Sequence, residues 1–132
     1  MKTLKVWGSR EVLYNDGNVG IHLLRLVKDG YSSWHSHKSK SDKFILISGE
    51  VKIATELGET VLKAGDSLVV DPPLMHQFIV SEDSVMVEIS YSKLDPEDII
   101  RLTQGGKMVD GKKVSLDELN RMAKENCKEG KT

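Results

Sequence analysis

Short β-like runs that alternate with turn signals fill the chain up to about Tyr91, and this regularity restricts the fold more than any other feature. Glycine-containing turns such as Lys28-Asp-Gly30 and Ala64-Gly-Asp66 separate the runs. Many short strands at close, even spacing predict an antiparallel sandwich or barrel. The predicted strands are Leu4–Val6, Val12–Tyr14, Ile21–Val27, Ser33–His37, Phe44–Ser48, Glu50–Thr55, Thr60–Lys63, Ser67–Val70, His76–Val80 and Val85–Tyr91.

The composition of the sequence shifts after Tyr91. Asp95 is predicted to begin a helix as its N-cap, and Lys107–Val114 is predicted to form a small hairpin. Ser115-Leu-Asp-Glu118 matches a capping box, which predicts a further helix with one apolar side for packing. We therefore predict an all-β barrel over residues 1–94 and a short helical extension over residues 95–132, which packs on the barrel or on a partner subunit.

Composition excludes several classes of function. Nineteen basic and twenty acidic residues give a net charge of −1, which argues against a nucleic-acid partner. The chain has no apolar run of membrane-spanning length and no signal-peptide pattern after Met1, so we expect no membrane association. The single Cys127 excludes an intramolecular disulfide, and a cytoplasmic location is the expectation.

Three of the four histidines are placed where they could share one metal ion. His35 and His37 are two residues apart, so on a strand they project from the same face, and His76 comes from a distant hairpin. Asp42 is a candidate fourth ligand. The alternative is that Asp42 is a loop residue that starts a strand and binds no metal. Such a set, with room for water or substrate, suits Zn, Fe, Mn, Co or Ni. His22 is predicted to be a packed or edge-strand histidine.

Two separated motifs carry a resemblance to a known family. The first motif is His35-Ser-His37, Asp42 and Gly49, and the second is Gly58, Lys63-Ala-Gly-Asp66 and Asp71-Pro-Pro-Leu-Met-His76. In spacing and order they resemble the motifs of the cupins, which are double-stranded β-helix (jelly-roll) barrels. Asp42 stands where the family usually has Glu. Its shorter side chain leaves open whether it binds a metal directly, through water or not at all.

The segment Glu82–Tyr91, followed by Asp98–Leu102, resembles the mannose-6-phosphate isomerase-like cupins. This resemblance implies a homodimeric, metal-dependent enzyme that isomerises a sugar or sugar phosphate. Two alternatives stay open, a metal-dependent dioxygenase and a non-catalytic cupin that binds a small molecule.

An isomerase of this kind needs a base beside the metal. Glu88 is the first candidate, although it could equally be an outward-facing polar residue, and Lys43 and Tyr91 are the further candidates. Lys43 follows Asp42 on its strand and is expected to face away from it. Lys38 and Lys40 are assigned to a solvated loop, with a cationic mouth for an anionic substrate as the alternative.

Overall fold

Twelve strands and one helix form the fold in a computed structural model that describes residues 1–92, 94–95 and 97–129, without the side chains of residues 126–129. The strands are β1 Lys2–Lys5, β2 Gly8–Asn15, β3 Val19–Leu26, β4 Gly30–Tyr31, β5 His35–Ser36, β6 Lys40–Thr55, β7 Gly58–Lys63, β8 Ser67–Val70, β9 His76–Ser92, β10 Ile100–Arg101, β11 Gly106–Val109 and β12 Lys112–Ser115. The helix α1 covers Leu116–Glu129.

Two long strands, β6 and β9, pair antiparallel along most of their length and join two halves of a curled sheet. The first half of β6 also pairs with β8, and the second half of β9 pairs with β3, followed by β2 and β1. The second half of β6 also pairs with β7, and the first half of β9 pairs with β4, followed by β11 and β12. The predicted all-β double-stranded β-helix is therefore confirmed.

Strand β6 bends from one half of the sheet into the other at Gly49. The sequence predicts two strands, Phe44–Ser48 and Glu50–Thr55, but the chain continues through Gly49 with irregular pairing on both sides. Gly49 has φ +90°, and a Cβ atom there would lie 2.1 Å from Oγ of Ser84. That hydroxyl accepts the Glu50 N–H at 3.0 Å, which stabilises the bulge. Strand β9 likewise joins two runs that are predicted as separate strands.

The interior changes from apolar to polar along the strands. Alternate residues face inward, so β6 presents Asp42 and then Leu46, while β9 presents Met86 and then Ser90. Leu46 and Met86 are fully buried in the apolar core, where each such side chain contributes about 1.5–3 kcal/mol. The polar end of the same interior holds the candidate site.

The segment after residue 94 contributes strands to the sheet as well as a helix. The prediction of a helix that begins at Asp95 is wrong. The carboxylate of Asp95 accepts the Glu97 N–H at 3.0 Å, and this hydrogen bond forms a turn. Strand β10 then pairs with β5, and the predicted hairpin is confirmed as β11 and β12. The capping box is confirmed in part, since Ser115 Oγ accepts the Glu118 N–H at 3.4 Å. Among the described residues, the structure contains no helix with the length and apolar character of a bilayer span.

Candidate metal centre

The three histidines that the sequence singles out meet at the polar end of the barrel. His35 on β5 pairs in register with His76, the first residue of β9, and His37 follows β5 directly. One ring nitrogen from each lies within 4.8 Å of the other two. We call His35, His37 and His76 the histidine cluster. Its members lie close enough together to hold one metal ion.

Backbone carbonyl groups fix the tautomer of all three imidazoles. Because a carbonyl oxygen only accepts hydrogen bonds, each Nδ1 must carry the proton, and each Nε2 is left with a lone pair. The carbonyl partners of His35, His37 and His76 are Ser33 at 2.8 Å, Asp98 at 2.6 Å and Leu74 at 3.0 Å. This is the arrangement that orients histidine ligands in metal sites.

Burial keeps the histidine cluster uncharged. It lowers the pKa of His35 to about 3, with the neighbouring His76 as a further cause, and burial also lowers the pKa values of His37 and His76. Nε2 of His76 is buried without a hydrogen-bond partner among the described residues. Buried lone pairs without donors are unfavourable unless something satisfies them. The donor set therefore fits a divalent cation bound by imidazole nitrogen.

Asp42 lies beside the cluster on the inner face of β6. Its Oδ2 atom is 3.6 Å from Nε2 of His37 and 4.0 Å from Nε2 of His76, and it is buried without a hydrogen-bond partner among the described residues. Its Oδ1 atom accepts the Ser90 hydroxyl at 2.7 Å and lies 3.5 Å from Nζ of Lys40. Burial raises the pKa of Asp42 to about 7. Direct metal binding by Asp42 stays a prediction, which the position of Oδ2 favours.

Glu88 faces the interior, and it lines the same cavity as the histidine cluster. The cavity has a volume of about 940 Å³. Oε1 of Glu88 lies 3.5 Å from Nη2 of Arg10 and 3.7 Å from Nδ1 of His22. Burial by itself would raise the pKa of Glu88, but the positive charges of Lys40 and Arg10 outweigh it and hold the pKa below its usual value. Glu88 is therefore an ionised carboxylate at neutral pH.

The structure does not bring Lys43 and Tyr91 to this site. Lys43 lies between the inward-facing Asp42 and Phe44, and Tyr91 follows the inward-facing Ser90, so both occupy the opposite face of their strands. Neither belongs to the described residues that line the cavity. We therefore assign no catalytic role to Lys43 or Tyr91.

Lys40 and Asp98 also belong to the site, although the sequence favoured a solvated loop for Lys40 and indicated no site role for Asp98. Lys40 is not in a solvated loop, because it begins β6, lines the cavity and has a side chain only 15% exposed. Its position two residues before Asp42 on a strand was the available signal. Asp98 accepts the backbone N–H groups of Lys38 at 2.6 Å and Ser39 at 2.9 Å, and its own carbonyl orients His37. No local pattern links Asp98 to a loop sixty residues earlier.

Comparison with known proteins adds a family match and several structural neighbours. The family model for the Cupin domain matches residues 22–90, which is more than half of the chain. No curated protein matches the sequence. At identities below 25%, the structural neighbours show a shared fold.

KdgF from Halomonas sp. has a TM-score of 0.61 and 17% identity, and the match covers 66% of this chain and 81% of that one. Pac13, a nucleoside dehydratase from Streptomyces, has a TM-score of 0.68 and 12% identity, with coverages of 77% and 83%. Oxalate decarboxylase from Bacillus subtilis has a TM-score of 0.67 and 16% identity, with coverages of 77% and 30%.

Proposed function

The chain belongs to the cupin family, and on that premise we propose that it is a metal-dependent enzyme that isomerises a small sugar or sugar phosphate. The observation that carries the proposal is the presence of an ionised carboxylate, Glu88, in the same cavity as three metal-competent histidines. A cavity of about 940 Å³ is large enough for a substrate of this size.

The proposed ligands are the Nε2 atoms of the histidine cluster, with Asp42 as the fourth. A bound divalent ion would supply Lewis acidity that polarises a carbonyl oxygen of the substrate. The hydrogen bonds from each Nδ1 to a backbone carbonyl keep the imidazoles in the orientation that such an ion requires. Zn, Fe, Mn, Co and Ni all suit this donor set, and we propose none of them above the others.

Glu88 is the proposed general base. Its carboxylate takes the proton from the carbon next to the carbonyl group, and the C–H electron pair forms a C=C bond as the carbonyl oxygen becomes an enolate oxygen. Glu88 then returns that proton to the former carbonyl carbon, while the proton of the adjacent hydroxyl group passes to the former carbonyl oxygen, so that an aldose and a ketose interconvert without any oxidant. Arg10 and Lys40 keep the carboxylate ionised before the reaction. Arg10 also contacts Oε1 directly, which limits the orientations of the carboxylate.

Proton exchange with solvent tests this proposal before the substrate is known in detail. Protein stripped with a chelator is reloaded separately with each of the five metals and incubated in D₂O with a panel of aldoses, ketoses and their phosphates. Proton NMR then follows deuterium entering the position next to the carbonyl, together with the product formed. Absence of both exchange and product with every metal and substrate would refute the isomerase proposal.

Two variants make the test specific for Glu88. Glu88→Gln should retain metal but lose exchange by about a hundredfold or more, because the amide accepts no proton. Glu59→Gln is the matched control, because Glu59 is an exposed residue on the outside of the barrel that pairs with Lys52. Exchange by the Glu88→Gln variant at the wild-type rate would remove Glu88 from the mechanism.

The same preparations distinguish the alternative functions. Dioxygen consumption by the Fe-loaded protein would support a dioxygenase instead of an isomerase. Ligand-dependent increases in melting temperature without turnover would support a non-catalytic small-molecule-binding cupin. Homodimer formation and a cytoplasmic location are also part of the proposal, and light scattering coupled to gel filtration measures the first of these.

A further inference from the structure

Three cationic side chains line the cavity on elements that lie outside both sequence motifs. They are Lys5 on β1, Arg10 on β2 and Arg101 on β10, and together we call them the cationic wall. In the β1–β2 pairing, Lys5 lies opposite Gly8, and Arg10 is two residues beyond Gly8, so Lys5 and Arg10 occupy the same face. Arg101 pairs in register with His35. The cationic wall therefore lines the same cavity as the histidine cluster, and its Arg101 lies beside His35.

Two of the three charges in this wall, those of Lys5 and Arg101, have no carboxylate partner among the described residues. Arg10 contacts Glu88, but no described carboxylate lies within 4.0 Å of Lys5 or Arg101. Partial burial, followed by repulsion from Arg10 and Arg101, lowers the pKa of Lys5. The positive charges of Lys5 and Arg101 are therefore held close to that of Arg10, and in the described part of the chain neither has an ion-pair partner of its own.

The other acidic groups that line the cavity already have partners. Asp98 accepts the N–H groups of Lys38 and Ser39, and Asp95 accepts the N–H group of Glu97. Lys40, the remaining cavity cation, is 3.5 Å from Asp42. Four cationic and three acidic side chains therefore line the cavity, and Lys5 and Arg101 are the two of these cations that have no carboxylate within 4.0 Å among the described residues.

We propose that Lys5, Arg10 and Arg101 form a subsite for an anionic oxygen group of the substrate, either a carboxylate or a phosphate. Two guanidinium groups offer paired N–H donors that match the oxygens of both anions, and Lys5 adds a third charge. The reacting carbons of the same molecule would then lie between Glu88 and the histidine cluster. Only this last part rests on the proposed isomerase function.

Binding of a simple anion tests the subsite without requiring turnover. Metal-free protein is titrated with inorganic phosphate and, in a parallel arm, with malonate, and binding is measured by calorimetry and NMR at low salt. The double variant Lys5→Gln/Arg101→Gln should weaken binding at least about tenfold. The control double variant Arg25→Gln/Lys63→Gln removes the same charge from exposed positions outside this cavity and should bind like wild type.

The comparison of the two anions and the two double variants decides the outcome. Tighter binding of phosphate or of malonate identifies the preferred anion. Equal weakening by both double variants would mean that only net charge matters, and equal affinity of wild type and Lys5→Gln/Arg101→Gln would also overturn the subsite. If the wild-type protein binds neither phosphate nor malonate, the subsite is overturned as well. Circular dichroism and melting curves verify that each variant is folded.

A kinetic arm applies once exchange activity is found. The Lys5→Gln/Arg101→Gln variant should raise KM for a sugar phosphate about tenfold or more while kcat changes little, and it should leave KM for the neutral sugar unchanged. If no isomerisation is found at all, the anion titrations still decide on the subsite. Failure of the subsite and failure of the isomerase proposal are therefore separate results.

Discussion

Replacing Asp42 with Asn separates the stability that a buried carboxylate costs from the metal affinity that it is expected to supply. Asparagine keeps the shape of the side chain, and its carbonyl oxygen can still accept the Ser90 hydroxyl, which is 2.7 Å from Oδ1 in the wild type. The amide nitrogen would take the place of Oδ2, which lies 3.6 Å from Nε2 of His37 and 4.0 Å from Nε2 of His76. In the variant, an amide N–H donor would therefore face the Nε2 lone pairs of these two histidines, whereas in the wild type a carboxylate oxygen repels them.

The magnitude follows from the pKa of Asp42, which burial raises from 3.8 to about 7. Because the folded state binds the proton more tightly, the cost of ionising Asp42 is absent below pH 3.8, grows as the pH rises and is complete above about pH 7. At 1.36 kcal/mol for each pH unit, the full cost is about 4 kcal/mol, and about half of it is present at pH 5.5. Asp42 is only 1% exposed, so screening by solvent reduces this cost only slightly.

Urea unfolding of chelator-treated protein at pH 5.5 and pH 8.5 measures the effect. The contact with Lys40, at 3.5 Å, lowers the pKa of Asp42 and is already included in the value of about 7. The stability difference between Asp42→Asn and wild type should therefore shift by about 2 kcal/mol in favour of the variant as pH rises from 5.5 to 8.5. Asp110→Asn is the control, because Asp110 is an exposed turn residue with φ +51° that asparagine also tolerates.

Adding metal should reverse the order of stability of Asp42→Asn and the wild type. If Asp42 is a ligand, Asp42→Asn should bind Zn or Mn about tenfold or more weakly and gain correspondingly less stability from it. A stability difference that does not change between pH 5.5 and 8.5 would refute the reasoning about the buried charge. An unchanged metal affinity would remove Asp42 from the ligand set and leave three histidines.

The metal-free protein should lose stability as the pH falls below about 6.5, the ordinary pKa of histidine, because the unfolded chain then binds protons that the histidine cluster excludes. The slope should be about 1.4 kcal/mol per pH unit for each histidine that stays neutral, less about the same amount for the proton that folded Asp42 takes up below about pH 7, as measured by urea unfolding of the metal-free protein. Gly49→Ala should cost about 2 kcal/mol or more, because it adds a clash with Ser84 to the strain at φ +90°. Gly65→Ala, at φ +91° but in open space, should cost only the strain, and equal losses would refute the role of the clash. Ser90→Ala should weaken metal binding severalfold, since Asp42 loses its 2.7 Å hydrogen bond, and calorimetric titration with unchanged affinity would contradict this.

Much of the barrel was predictable from local sequence. The alternation of apolar and polar residues, together with turns at fixed intervals, predicts most strands, because side chains on a strand alternate between two faces. The pattern could not predict that β6 and β9 each continue through a bend, since the glycine at position 49 is also an ordinary turn signal. Ser84 accommodates that bend from a strand far along the chain. Asp95 was misjudged because the same carboxylate that caps a helix also caps a turn.

The candidate histidines could be chosen from local sequence, because the spacing of His35 and His37 and the turn before His76 each lie within one short segment. Which charged side chains accompany the cluster could not be predicted in this way, because it depends on contacts between distant segments. Glu88 meets Arg10 across 78 residues and His37 meets Asp98 across 61, and Lys43 is turned away while Lys40 is turned inward. Which face of a strand lies inside depends on the register of its neighbours, and register is a property of paired segments that no single segment contains.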